Sequence, residues 1–253
     1  MDITLRDRFI DLNKRYFNNA ALPITFYYSD TGELGEVVRP GTIPRCVIGA
    51  LVEVRNGRSF SFDVESIGCF GGRRYLGFAE TLSPDFEYFR SCGIPGRVEG
   101  ERYKESPELV KETMDNWPKL RAPEPFIVFK RWDNLSEKDE PEVVVFFAQS
   151  DVLSGLFTMA NFDQSQPEGV FTPMGSGCSS IVSYPYLEKD SSRPRAVIGM
   201  FDPSARPDVP KDTLSFAVPM KRFVTMIDNT EKSFLITNTW KKVQKRIVRP
   251  RTQ

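Results

Sequence analysis

Histidine is absent from the 253 residues of this chain. Its absence removes the commonest general base near neutral pH, the imidazole ligand of many metal sites, and the Ser-His-Asp class of catalysis. Cysteine is scarce: the sequence has only Cys46, Cys69, Cys92 and Cys178. Four are too few for a disulfide framework in a chain this long, and none form a CxxC or other local metal-ligand pair. In a reducing compartment they are free thiols, metal ligands or redox groups. An excess of one charge is missing too, with 34 Lys+Arg against 34 Asp+Glu, so no overall field draws the chain to nucleic acid or an anionic membrane. No apolar run approaches the roughly 20 residues that a membrane-spanning helix needs. The opening Met1-Asp2-Ile3-Thr4-Leu5-Arg6-Asp7 lacks the basic-then-apolar order of a signal peptide. The expected location is therefore cytoplasmic, with no nucleic-acid and no membrane partner.

What is present is an ordinary folded composition, 40% hydrophobic and 12% aromatic, enough to bury a substantial core. Leu5, Phe9, Leu12 and Tyr16, at steps of four, three and four, predict an opening helix. The β-branched and aromatic run 24–28 predicts a strand ended by the Ser29-Asp30-Thr31-Gly32 turn. Residues 44–57, with Pro44 near the start and Gly57 past the end, read as a short buried helix, with a strand over 46–54 as the competing reading. Phe60 and Phe62 alternate with serines as a brief strand. Residues 81–105 have no period and carry Pro84, Gly93, Pro95, Gly96 and Gly100, which predicts a long loop able to serve as a lid.

Ser106-Pro107-Glu108 is a helix start, with the helix running to about Asn116. Residues 126–129 and 143–147 are continuous apolar runs, as in strands covered on both faces, and 136–141 reads as a solvated connection between them. Further elements follow: a helix capped by Ser150 or Asp151, a short strand at 170–172, a stretch 179–187 that is helical until Pro185 limits it, and a strand at 196–201. The loop 202–212 leads to an alternating strand at 214–218, a helix with Pro219 in its first turn, and a basic C-terminal helix and tail over 237–253. No repeat or linker interrupts the chain, so a single domain over 1–253 is expected. Strands and helices mix without regular alternation, which predicts α+β architecture with a mostly antiparallel sheet.

Two glycine-rich cysteine segments carry the chemistry. In Gly68-Cys69-Phe70-Gly71-Gly72-Arg73-Arg74-Tyr75-Leu76-Gly77, Gly71 and Gly72 could present backbone N–H donors, while Arg73 and Arg74 add positive charge. The alternative is a glycine turn with a buried thiol and two solvated arginines. It is not a P-loop, since no Gly-Lys-Ser/Thr follows. In Gly175-Ser176-Gly177-Cys178-Ser179-Ser180, amides and hydroxyls sit at a possible helix start, which favours anions and thiolates. Ser179 or Ser180 could equally be an ordinary cap. Carboxylates in the irregular segments (Asp85, Glu87, Glu99, Glu101, and Asp202 after a strand) are more simply surface charge. The acid-free run Lys241, Lys242, Lys245, Arg246, Arg249 and Arg251 reads as a solvated helix face and tail.

The order of these pieces resembles a family. Leu22-Pro23-Ile24-Thr25-Phe26 comes first, then Arg45-Cys46, then Gly57-Arg58-Ser59-Phe60 leading to Cys69-Phe70-Gly71-Gly72 and Gly77. Pro141-Glu142-Val143-Val144-Val145, Gly177-Cys178 and Phe216-Ala217-Val218-Pro219 follow. Over about residues 20–230 the chain is similar to a bacterial and archaeal family of uncharacterised ArCR proteins, a domain of unknown function. The resemblance implies one domain and points to Cys46, Cys69 and Cys178; it supplies no reaction or cofactor and does not place Cys92.

The residues thus predict a small-molecule site between the two segments, built from Cys46, Cys69, Gly71, Gly72, Arg73, Arg74, Gly175, Gly177, Cys178 and Ser179, with a small anionic ligand or cofactor. A thiolate-bound metal or iron–sulfur group, a cysteine-dependent transferase or redox enzyme using Cys69 or Cys178, and a scaffold with merely packed thiols remain the alternatives. A homo-oligomer is compatible with all of them.

Overall fold

The computed structural model describes residues 1–39 and 46–247. Its eight strands are β1 (Ile24–Ser29), β2 (Glu36–Val37), β3 (Phe60–Phe62), β4 (Phe126–Arg131), β5 (Val143–Gln149), β6 (Val170–Phe171), β7 (Ala196–Gly199) and β8 (Thr213–Pro219). They form one sheet in the order β2-β3-β4-β1-β5-β8-β7-β6. The inner pairings are antiparallel; only the outermost pairs, β2 with β3 and β6 with β7, are parallel. The longest ladder runs from Val143↔Pro219 to Gln149↔Thr213.

The helices are α1 (Ile3–Tyr16), α2 (Val47–Arg55), α3 (Phe70–Tyr75), α4 (Phe86–Phe89), α5 (Pro107–Asp115), α6 (Ser150–Asn161), α7 (Tyr184–Glu188), α8 (Met220–Asn229) and α9 (Asn238–Gln244). None is long and apolar enough to cross a membrane. Strand periodicity divides the apolar residues between the two faces. Ile24, Phe26, Phe129, Val143, Val145 and Ala217 pack under α2 and the helix leading into α7. Val144, Phe146, Phe216 and Val218 pack with Phe9, Leu156, Phe223 and Trp240 from α1, α6, α8 and α9. The architecture is α+β, helices on both faces of one mixed sheet.

Each outer parallel pair requires a crossover connection. β2–α2–β3 supplies one and β6–α7–β7 the other, and both lie on the same face, since Val47, Ile48 and Leu51 share a core with Ile181 and Val182. The second crossover is one continuous helical run from Gly177 to Glu188, widened to a π-helix over Ser179–Ser183. Pro185 accounts for the widening. It has no N–H, and its ring would collide with the carbonyl one α-turn back. The Tyr184 N–H instead reaches Ser179 O, five residues back, and the helix continues past the proline.

Several expectations are corrected. Residues 70–75 are a helix, because packing rather than apolar periodicity holds them. The connection 136–141 is not wholly solvated: Asp139 is completely buried. The strand at 196 ends at Gly199, since Met200 takes a left-handed φ of 66°. Gln149 occupies the N-cap of α6, placing Ser150 and Asp151 inside its first turn. Pro219 closes β8 and precedes α8. Residues 81–105 contain α4 and an Ile94↔Val98 bridge, tied by Glu101 N–H to Phe89 O (2.7 Å) and Tyr103 N–H to Arg90 O (3.0 Å). Pro44, Arg45, Arg249 and Arg251 lie outside the described residues.

Candidate functional site

Three helix starts meet on the α2 face. Cys46 is the N-cap of α2 and accepts from Ala50 N–H at 3.2 Å; Cys69 is the N-cap of α3 and accepts from Arg73 N–H at 3.0 Å. Ser176 opens the third, its Oγ accepting from Ser179 N–H (3.2 Å), so Cys178 falls in that helix's first turn. Close packing locks the three together. A Cβ on Gly72 would stand 3.0 Å from Val47 Cγ2 and 2.9 Å from Ile67 Cγ2, and one on Gly177 would stand 3.4 Å from Ile48 Cγ1 and 2.9 Å from Met200 Sδ. Ser183 Oγ–H donates to Tyr75 O at 2.6 Å, fastening the third helix to the end of α3.

Cys46 and Cys69 are near enough to Cys178, and Cys69 to Cys46, to act on the neighbouring thiol's ionisation. Burial pushes the Cys178 thiol well above its ordinary value, and Cys46, Cys69 and Asp202 add to the rise. Burial also raises Cys46, opposed by the amides of Gly49 and Ile48 and reinforced by Cys69. Both thiols therefore keep their protons at neutral pH, the opposite of an activated nucleophile. Among the described residues no three Cys, Asp or Glu side chains are placed to hold a metal ion. Cys92 stands apart, exposed on the 81–105 segment.

Beside the thiols lies a charge cluster. Arg90, carried there by the folded 81–105 segment, has a side chain only 9% exposed. Its nearest carboxylate oxygen is Asp202 Oδ1 at 3.9 Å, beyond hydrogen-bond range, and among the described residues its guanidinium makes no hydrogen bond. The guanidinium instead stacks over the Tyr103 ring at 4.4 Å. Asp202 has other partners: Gly177 N–H (3.3 Å), Ser204 N–H (3.2 Å) and Ser204 Oγ–H (2.8 Å). The Tyr103 hydroxyl is buried beside Glu101 and Ser204, neither of which meets it in well-aligned hydrogen-bond geometry. Tyr75 reaches toward Ser176, and Arg90 and Cys178 are near enough to act on its ionisation; burial raises its pKa above the phenol range. A guanidinium with five N–H donors, no hydrogen-bonded acceptor among the described residues and only Asp202 Oδ1 at 3.9 Å has donors that an oxyanion acceptor could use.

Of the residues singled out in the sequence, Cys46, Cys69, Gly72, Gly177 and Cys178 come together. Gly175 sits one residue ahead of the Ser176 cap, and Ser179 is tied back by its Oγ–H to Ser176 O (2.8 Å). A Cβ on Gly71 would meet only ordinary contacts, the nearest 3.7 Å away at Cys69 Sγ and the Tyr75 ring. Arg73 and Arg74 hold loop carbonyls, Ile67 O at 2.6 Å and Pro118 O at 3.4 Å. The cation at the cluster is Arg90, which the sequence reading passed over along with Tyr103 and Ser204. Asp202 did carry a signal: it is a carboxylate just past the end of a strand. Two open clefts lie elsewhere, one of about 310 Å³ lined by Asp163, Arg193, Lys221 and Arg222, the other of about 530 Å³ along α1.

Fold and site together define an α+β protein in which two crossovers and the segment 69–105 bring thiols and a buried arginine together. The family model for uncharacterised ArCR proteins, a domain of unknown function, matches residues 15–229, and the chain belongs to that family. No curated protein and no solved structure matches the chain.

Proposed function

We propose that this protein binds a small anionic ligand or cofactor between the Cys69 and Cys178 segments, with Arg90 as counter-charge. The observation that carries the reading is the largely buried Arg90 side chain, whose guanidinium has no hydrogen-bonded acceptor among the described residues. Burying a cation is costly unless it is paired, and the 3.9 Å separation from Asp202 is too long to offset that cost fully. The Tyr103 ring lies against the guanidinium and Arg90 is near enough to Tyr75 to act on its ionisation, so both phenols stand beside it. Thermal denaturation with millimolar inorganic phosphate, sulfate or acetate tests the idea. The midpoint should rise for the native protein, rise less for Arg90→Lys and stay fixed for Arg90→Gln. An unchanged midpoint in native protein, or an equal rise in Arg90→Gln, overturns the reading.

A second reading, a soft metal or cluster on Cys46, Cys69 and Cys178, has the geometry against it, since among the described residues no three Cys, Asp or Glu side chains are placed to hold a metal ion. It requires their side chains to turn toward a common centre and to lose the protons that burial retains. Stoichiometric metal or visible absorption in protein purified without oxygen would support it, and Cys69→Ser would then abolish both. The cysteine-enzyme reading is weaker at Cys178, because burial holds that thiol neutral.

A further inference from the structure

The cleft of about 310 Å³ beside the start of α8 holds positive charge that the fold does not use. Its walls come from three segments. Asp163 follows α6, Lys221 and Arg222 stand in the first turn of α8, and Ser192 and Arg193 precede β7. Both helices pack on the face of the sheet opposite the cysteines. Arg222 is largely buried and already matched: its guanidinium donates to both oxygens of Asp163 and to Ala160 O at 2.9 Å. Arg193 and Lys221 differ. Both are exposed, and among the described residues neither side chain has an ion pair or a hydrogen bond. The other acids of these segments, Glu168, Glu188, Asp190 and Asp228, do not line the cleft, so two positive charges in it stay uncompensated. Lys221 also stands where a cation is unfavourable, since the first turn of α8 holds no acid and the positive end of a helix repels a cation. A local rule broken with no compensating contact in the fold points to a task outside it.

We propose that this cleft is a second binding site, independent of Arg90, for a small polyol carrying two phosphates. Arg193 takes one phosphate through its planar fork, and Lys221 takes the other as a point charge. Hydroxyls select the body of the ligand. Pro194 is the one apolar residue in the lining, so an aromatic or aliphatic body finds no surface to cover. Ser165 and Ser192 line the cleft with side-chain hydroxyls that have no partner among the described residues. Asp163, bound by Arg222 yet still partly exposed, keeps acceptor capacity for a ligand O–H. The open setting of the cations explains the need for two phosphates. A single contact to one exposed charge gives little, so millimolar inorganic phosphate, sulfate or acetate leaves the cleft unoccupied. Two linked phosphates gain by reaching both cations at once.

Titration calorimetry on the full chain tests this, run on the native protein and on Arg90→Gln so that the two sites are read separately. The probes are a hexitol phosphorylated at both ends, inorganic phosphate, and hexanediol bisphosphate, which keeps the two phosphates and lacks the other hydroxyls. In Arg90→Gln the hexitol bisphosphate should bind at least about tenfold more tightly than inorganic phosphate, the gain from engaging both cations. It should exceed hexanediol bisphosphate by about threefold or more, the gain from hydrogen bonds to its hydroxyls. The double variant Arg193→Gln, Lys221→Gln changes only exposed side chains. It should abolish this binding in a chain that unfolds no earlier than its parent, because Lys221 opposes the α8 dipole. No binding of the hexitol bisphosphate to Arg90→Gln overturns the proposal, as does undiminished binding in the double variant. Equal affinity for the two bisphosphates overturns it too, because charge alone would then select the ligand. Binding to the native protein that disappears in Arg90→Gln and survives in the double variant would place the bisphosphate at Arg90 and likewise overturn this site. The Arg90 reading stands or falls separately, on inorganic phosphate and the native protein.

Discussion

Asp139 and Arg90 are both withdrawn from solvent, yet their surroundings differ in a way that separates structure from function. Asp139, at 0% exposure, takes Lys130 Nζ at 2.7 Å, Ser136 N–H at 2.7 Å, Ser136 Oγ–H at 2.8 Å and the Tyr27 hydroxyl. Every acceptor position on that carboxylate is used, so nothing remains for a ligand. Arg90 is the reverse, a charge whose donors are idle. Asp139→Asn should cost about 3–5 kcal/mol, the usual consequence of removing one partner of a buried ion pair, whereas Arg90→Gln should cost only about 1–2 kcal/mol. Urea midpoints measure both; equal losses would contradict the distinction. The pH dependence follows from the same bonds. Burial pushes the Asp139 carboxyl up, but Lys130, Tyr27 and Ser136 outweigh burial and hold it below the ordinary value. A folded pKa below the unfolded one contributes stability above about pH 4, and that contribution is lost as pH falls through the folded value. The acid limb of the stability curve should flatten in Asp139→Asn and be unchanged in Arg90→Gln.

At the scale of elements, glycine separates packing from display. The paired glycines of α3 look alike in sequence, but only Gly72 is pressed between Val47 and Ile67; Gly71 has room for a methyl group. Gly72→Ala should destabilise by about 1–3 kcal/mol through overpacking, and Gly71→Ala should be neutral or stabilising by up to about 1 kcal/mol from helix propensity. Denaturant midpoints of the two variants decide it, and an equal loss at both positions would mean that the pair acts through backbone conformation. The contrast also explains what could be read beforehand. β1, β4, β5 and β8 were legible because β-branched and aromatic runs of that length admit few other states, and α5 because Ser106-Pro107 accepts and starts a helix in one step, Ser106 Oγ taking Leu109 N–H at 3.2 Å. The helical state of 70–75 was hidden. Phe-Gly-Gly-Arg-Arg-Tyr has low helix propensity and no apolar stripe, and its helix depends on contacts with α2 and the Gly177 helix, distant in sequence. Arg90 was hidden for a related reason. In an aperiodic segment an arginine reads as surface charge, and only the folded backbone of 89–104 turns it inward against Tyr103.

For the whole molecule, the decisive feature is that two crossovers from opposite edges of the sheet come together over one face. Neither edge builds the cluster alone: β2–α2–β3 brings Cys46 and leads to Cys69, and β6–α7–β7 brings Ser176 and Cys178 and leads to Asp202. A ligand bound between them therefore couples two parts of the fold that are otherwise joined through the central strands. At a ligand concentration of about 100 times Kd, binding adds about 2.7 kcal/mol to stability, a rise of about 5–10 °C in midpoint for a domain of this size. That stabilisation should not be spread evenly. Hydrogen exchange should slow together at 70–75, to which the first crossover leads, and at 177–188 in the second on adding the anion, because both helix starts close on the same group, while α1, α6 and α8 on the opposite face change only as far as global unfolding governs them. Protection confined to one crossover would mean that the ligand sits on a single helix start rather than between the two. Equal slowing on both faces in native-state exchange would mean that it binds away from the cluster. In Arg90→Gln the paired protection should vanish, so that adding the anion changes no rates, while the ligand-free variant exchanges faster only by what its loss of about 1–2 kcal/mol of global stability requires, which separates loss of the ligand from loss of the fold.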